Sequence, residues 1–225
     1  MMRTIAIAML LSGIPLAASA QSFDCKKAQT PVEKMICADA SLSELDEYLG
    51  RYYVAGRDEL EGAASCLQAD QALWLKSTRN ACASAACLKM AYLNRLGELD
   101  PLQPGATAIK NLELPRVPAL VWVIGPAADQ SAAPTKPNAK PLTATGTIHD
   151  EVTGGDGFML RTADGAKLPL VLLMFLDGKT PAQLASLARQ KGVTFRARGF
   201  AAVDGTRTYF EPSRCTFIHR MPAAK

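Results

Sequence analysis

An α+β protein is predicted: a small disulfide-stapled helical bundle, a Pro/Ala-rich linker, then a β domain with one helix. Three observations carry this. Four of the six cysteines, Cys25, Cys37, Cys82 and Cys87, flank or end segments patterned as capped helices. The helical periodicity stops at Pro101, and a run rich in Pro and Ala follows. From Leu142 onward the pattern switches to strand-like alternation broken by Gly/Asp turns. The corresponding units are a leader at 1–20, helices over 21–100, a linker over 101–141 and the β domain over 142–225.

The leader reading rests on Arg3, the apolar Ile5–Leu11 stretch and Ala18-Ser19-Ala20, a small-x-small cleavage pattern. A mature start near Gln21 follows. Ser22-Phe23-Asp24 ahead of Cys25 is not a lipid-attachment pattern. No later segment approaches the roughly 20 apolar residues of a membrane span. The expected location is therefore the periplasm or outside the cell. In that setting an even cysteine count reads as a disulfide framework rather than as catalysis.

The helices follow from local chemistry. Thr30 reads as an N-cap, Pro31 takes the first helical position, and Glu33 completes a capping box. Ser41 and Glu44 repeat that box for a second helix, whose Leu42, Leu45, Leu49 and Tyr52 or Tyr53 share one face. Gly62 is its expected end. A third helix carries Leu67, Gln71, Trp74 and Leu75. A fourth starts near Ser84 and carries Leu88, Tyr92, Leu96 and Leu99.

A bundle this small buries a modest core and gains from staples. Cys25 precedes the first helix and Cys37 sits near its end. Cys82 and Cys87 flank the turn between the third and fourth. Cys25–Cys37 and Cys82–Cys87 are thus the leading pairs among the fifteen connectivities that six cysteines allow. Cys66 and Cys215 remain, one in each half. They read as a bridge between the halves, as two buried thiols, or as an intermolecular link.

The ordered set Asp24-Cys25, Thr30-Pro31-Val32-Glu33-Lys34, Ile36-Cys37 and Asp39, then Leu42 and Leu45-Asp46, then Gln71, Trp74-Leu75, Arg79 and Cys82, then Cys87-Leu88 and Tyr92, resembles the N-terminal domain of the LprI-type lysozyme-inhibitor family. The likeness spans residues 23–99. It implies an exported helical domain, and a lysozyme-type enzyme as partner. The family member that gives its name is a lipoprotein, whereas no lipid-attachment cysteine is evident here. Cys66 stands outside the matched pattern.

Charge is unevenly divided. Residues 21–100 hold nine Lys/Arg against twelve Asp/Glu, a net of −3; residues 101–225 hold fifteen against nine, a net of +6. Vertebrate-type lysozymes are basic, so acidic surface would steer encounter with them. Asp58, Glu59 and Glu61 are the candidate partner-binding residues. The same carboxylates also read as the solvated face of a helix.

In the C-terminal half, strands are expected at Thr143–His149, Phe158–Thr162, Lys167–Phe175, Val193–Ala201 and Thr208–His219. Turns fall at Gly154–Gly157, at Ala163-Asp164-Gly165 and at Asp204-Gly205. A helix capped at Thr180-Pro181 runs toward Gly192. The order β-β-β-α-β-β is that of an OB-like five-stranded barrel. Ala119–Ile124, within the linker, reads as a strand or as a strap on either half.

Barrels of this kind bind nucleic acid or sugars. Phe195-Arg196-Ala197-Arg198-Gly199-Phe200 mixes basic and aromatic residues, but plain alternation explains it, and no nucleic-acid partner is expected. A cell-envelope glycan suits an exported domain better. No catalytic constellation stands out. His149 and His219 lack metal-ligand neighbours at recognisable spacing, and the Gly154–Gly157 turn has too few acids for calcium. No metal, cofactor or enzymatic activity is expected.

Overall fold

The computed structural model describes residues 23–103, 112–126, 139–150 and 157–223. The expected leader, linker residues 104–111 and 127–138, and the 154–156 part of the glycine turn lie outside the described residues.

The protein is α+β, with helices first and an antiparallel sheet of seven strands after them. Helices α1 (Pro31–Ala38), α2 (Ala40–Leu60), α3 (Ala64–Trp74) and α4 (Ala85–Leu99) build the N-terminal half. At α1 the capping box is complete. The Glu33 amide donates to Thr30 Oγ1 at 3.2 Å, and the Thr30 amide to Glu33 Oε2 at 2.9 Å. At α2 the expected Ser41/Glu44 box is not used. Asp39 caps instead, its carboxylate accepting from the amides of Ser41 and Leu42. A charged acceptor at the positive end of the helix outcompetes a hydroxyl. Ser84 caps α4 by accepting from the Cys87 amide.

Past Trp74 the chain does not stop. It winds on through Leu75–Arg79 as a π-helical turn, which carries Arg79 to the bundle interior. Three disulfides tie the fold: Cys25–Cys37, Cys82–Cys87 and Cys66–Cys215. The first two staple helix ends. The third joins α3 to the sheet.

The strands are β1 (Ala119–Ile124), β2 (Pro141–His149), β3 (Gly157–Thr162), β4 (Lys167–Leu172), β5 (Phe195–Asp204), β6 (Arg207–Phe210) and β7 (Thr216–Arg220). Their order is β1-β7-β5-β2-β3-β4, with β6 on the distal half of β5. Seven strands replace the expected five for two reasons. Glu211–Cys215, with Pro212 unable to donate to a ladder, splits the expected last strand in two. The apolar Ala119–Ile124 segment pairs with β7. β6 lies beside β4, but no ladder joins them, so the sheet curls without closing.

Helix α5 (Thr180–Ala188) packs against β2. Its expected Thr180 cap is not formed: the helix already begins at Thr180, after Lys179, and Thr180 Oγ1 accepts from the Trp122 indole at 3.3 Å. Strand β1 runs against α4 and the turn that follows it. One apolar cluster therefore continues from Ile36, Leu67 and Leu96 through Leu102, Leu120 and Val123 to Phe195 and Ile218.

Gly146 is the pivot of β2, where pairing passes from β5 to β3. A Cβ there would sit 2.0 Å from the Arg161 carbonyl oxygen. Gly146→Ala is expected to cost about 1–3 kcal/mol, read as a lower urea midpoint at unchanged slope. A midpoint equal to the parent would show that the strands separate freely at this point.

Candidate partner-binding surface and the buried ion network

The patterned polar residues of the helical half turn inward. Asp46, buried on α2, accepts from the Tyr92 hydroxyl at 2.7 Å and lies 3.9 Å from the Arg79 guanidinium. Burial, with the Asp46 charge beside it, pushes the Tyr92 phenol far up. Trp74 meets the Tyr92 ring edge-on, with centroids 5.7 Å apart. Gln71 accepts from Arg95 Nε at 3.0 Å.

Arg95 is the centre of a second network. Its side chain is 2% exposed and pairs with Asp70 and Glu98, both at 2.8 Å. Each of those carboxylates reaches across to the sheet. Asp70 meets Arg198 of β5 at 2.8 Å, and Glu98 meets His219 Nε2 of β7 at 3.0 Å. Arg198 also lies over the Phe217 ring, 4.7 Å from its centroid. A chain of five charged or titratable groups thus spans the seam between helices and sheet. His219, at the end of the last strand expected from the sequence, is a buried member of it.

Burial alone would raise the Glu98 carboxyl. The His219 hydrogen bond and the Arg95 guanidinium outweigh burial and hold it at about 2. A depressed carboxylate stabilises the fold above its unfolded value, near 4.5, and loses that contribution as pH falls toward 2. Unfolding free energy should therefore drop between about pH 5 and pH 2, and Glu98→Gln should flatten that slope. An unchanged slope in the variant would detach Glu98 from acid stability.

The candidate surface residues lie at the end of α2 and just beyond it. Asp58 is exposed. Glu59 and Glu61 are engaged by Lys179, which sits ahead of α5, at 3.2 and 3.4 Å. The hydrogen bond that Lys179 donates to the Glu59 carboxylate raises the pKa of its ammonium. Among the described residues Glu61 is the only non-glycine with positive φ, +46°. It faces Gly178, φ +51°, where a Cβ would lie 2.7 Å from Glu61 Oε2. Glu61 and Asp177 line a small cavity floored by Trp122 and Thr180. The three candidate carboxylates are thus neighbours, but two of them hold a lysine of the same chain.

The outward face of α2 extends this surface toward its start. Glu44 accepts from the Tyr48 hydroxyl at 3.1 Å, Arg51 lies 4.7 Å over the Tyr48 ring, and Glu47 pairs with Arg51 at 3.4 Å. Spacing alone did not single out this Tyr/Arg/Glu face. In Phe195–Phe200, Phe195 and Ala197 are buried, while Arg198 is exposed and committed to Asp70 and Phe217.

These features define a class: a disulfide-tied α+β protein whose N-terminal helices bury a network of ion pairs and hydrogen bonds beside an apolar core. Its helical pattern has counterparts among known proteins. The chain is similar to Lipoprotein LprI of Mycobacterium bovis and of two strains of Mycobacterium tuberculosis, 37% identical over 92 residues in each case. That match takes in 39% of this chain and 45% of the relative, so the chain spans about half the length of the curated relatives it matches. No family model matches the chain, and no solved structure does.

Proposed function

We propose that this chain is an exported, non-enzymatic binding protein that inhibits a lysozyme-type muramidase through its helical half. The observation that carries the reading is the likeness to LprI in a chain whose cysteines are paired as an exported helical domain requires. Asp58 and the Glu44–Tyr48–Arg51 face of α2 offer acidic and aromatic contacts of the kind that steer and anchor a basic partner. No helix among the described residues is long and apolar enough to cross a membrane.

The test is lysis of a peptidoglycan suspension by lysozyme, titrated with the full oxidised chain. Inhibition saturating near equimolar supports the reading. Absence of inhibition across lysozyme classes ends it. Asp58→Lys is expected to weaken inhibition and to flatten its salt dependence. Asp58 is preferred over Glu59 and Glu61, because reversing those would also release Lys179. Equal potency in the variant would remove this end of α2 from the contact.

A second reading is favoured by one observation. The residues that carry the family pattern, Asp46, Gln71, Trp74, Arg79 and Tyr92, are mostly spent inside the bundle. The likeness then carries the scaffold, and the surface is free to serve another partner. On this reading the protein is an envelope-contact module, with the sheet as an OB-like barrel that touches glycan. Strands β4-β3-β2-β5-β6 run in the order such a barrel uses, which supports that view. Glycan retention with no effect on lysozyme would favour it.

A further inference from the structure

Two kinds of contact cross from helices to sheet. The Arg95 network is buried, its central side chain 2% exposed, and the Cys66–Cys215 bond ties the same two halves covalently. The Lys179 contact is different. Its ammonium lies 3.2 Å from Glu59 and 3.4 Å from Glu61, yet the Lys179 side chain is 45% exposed and that of Glu61 48%. Pairs this open to water contribute little to stability and exchange readily. The halves are held together without them. Lys179 also lines the small cavity whose floor is Trp122 and Thr180, both buried, with Leu60 beside them. Glu61 and Asp177 stand at its rim. Asp177 is exposed, and among the described residues its carboxylate has no hydrogen bond or ion pair. Glycines bring the two turns together. A Cβ on Gly178 would sit 2.7 Å from Glu61 Oε2, and one on Gly62 would sit 3.6 Å from Asp177 Oδ2. Each carboxylate thus lies over bare backbone of the opposite turn.

We infer that this recess is a seat for a basic side chain of a protein partner, and that Lys179 closes it as an intramolecular stand-in. The chain itself shows the chemistry the seat accepts, since an ammonium already rests on two of its carboxylates. Glu59, Glu61 and Asp177 share that single ammonium, and Asp58 stands exposed next to Glu59 in sequence. The site therefore keeps an excess of negative charge. An incoming lysine or arginine that displaces Lys179 would meet the same carboxylates and Asp177 in addition. Its alkyl stem would close over the mouth of the cavity, as long basic side chains do on apolar surface. The contact is thus autoinhibitory. A partner competes with Lys179, and its apparent affinity is reduced by the fraction of molecules in which the seat is closed. The inference deepens the lysozyme reading, on which it rests for the identity of the partner but not for the seat.

The full oxidised chain and Lys179→Met, which keeps the stem and removes the charge, are titrated with tetralysine and with a basic vertebrate-type lysozyme. The indole N–H of Trp122 donates to Thr180 on the cavity floor and is one of two such signals in the protein, so NMR reads the site directly. Tetralysine should shift that signal in both proteins, at a concentration about three- to tenfold lower in Lys179→Met. Lysozyme inhibition should strengthen by a similar factor. Lys179→Met/Glu61→Gln should lose the gain in both assays. Lys167→Met, an exposed change on β4, should behave like the parent. Melting curves confirm that each variant is folded. The inference is overturned if tetralysine leaves the Trp122 signal unmoved, if it shifts parent and Lys179→Met at the same concentration, or if both inhibit lysozyme with equal potency. Failure of the lysozyme reading has another signature. Neither protein then inhibits, tetralysine still separates them, and the seat serves a different basic protein.

Discussion

Arg95→Leu is expected to lower the unfolding free energy by about 3–5 kcal/mol. The guanidinium is 2% exposed and faces the carboxylates of Asp70 and Glu98 at 2.8 Å, with Gln71 at 3.0 Å. Leucine fills part of the volume but leaves two largely buried carboxylates short of their central counter-charge. The double variant Arg95→Leu/Glu98→Gln should recover part of the loss, because one stranded charge is then gone. Urea titration followed by far-UV circular dichroism and by tryptophan fluorescence measures both. The probe is well placed, since the Trp74 ring centroid is 6.0 Å from the Arg95 guanidinium carbon and Trp122 lies in β1. A loss below about 1 kcal/mol would mean that the cluster behaves as solvated surface pairs do.

Removing Cys66–Cys215 by paired serine substitution is the second large effect. The bridge closes a sequence separation of 149, against 12 for Cys25–Cys37 and 5 for Cys82–Cys87. If chain entropy of the unfolded state dominates, the three contribute in that order, about 5, 3 and 2 kcal/mol. For a chain of this length the first corresponds to a fall in Tm of about 10 °C or more. Scanning calorimetry of the three paired variants tests the order. Equal losses, or the reverse order, would assign the stabilisation to local packing at each bridge.

What the sequence makes legible is local. The Thr30/Pro31/Glu33 box, the Ser84 start of α4 and the turn at Gly205 rest on side chains acting within a few residues, and each is where the spacing puts it. Competition between near neighbours is harder to read. Asp39 displaces the Ser41 cap, and α5 starts one residue early, at Thr180 itself. Long-range partners are not legible at all. His219 and Glu98 are 121 positions apart, and neither carries a mark of the other. Lys179 neutralising Glu59 and Glu61 is equally invisible, since an acidic run looks the same whether or not a distant lysine rests on it. The split of the last expected strand is intermediate. Pro212 announces a break, but the choice of β7 to pair with β5 and β1 depends on the whole sheet.

The connectivity of the bridges imposes an order of events on oxidation. A chain exposed to oxidant N-terminus first presents Cys25 and Cys37, then Cys66, Cys82 and Cys87, and Cys215 last. Two native pairs are consecutive in that order, and each closes as soon as its second thiol emerges. Cys66 is different, because its partner arrives only after both remaining thiols of the bundle have passed. Any oxidant acting indiscriminately during emergence would join Cys66 to Cys82. The native arrangement then requires either that α3 fold early enough to bury Cys66, which is 1% exposed in the finished protein, or that an isomerase undo the error. In a chain oxidised in that order, Cys66–Cys215 would be the last native bond to form, and it is the one that ties α3 to the segment ahead of β7.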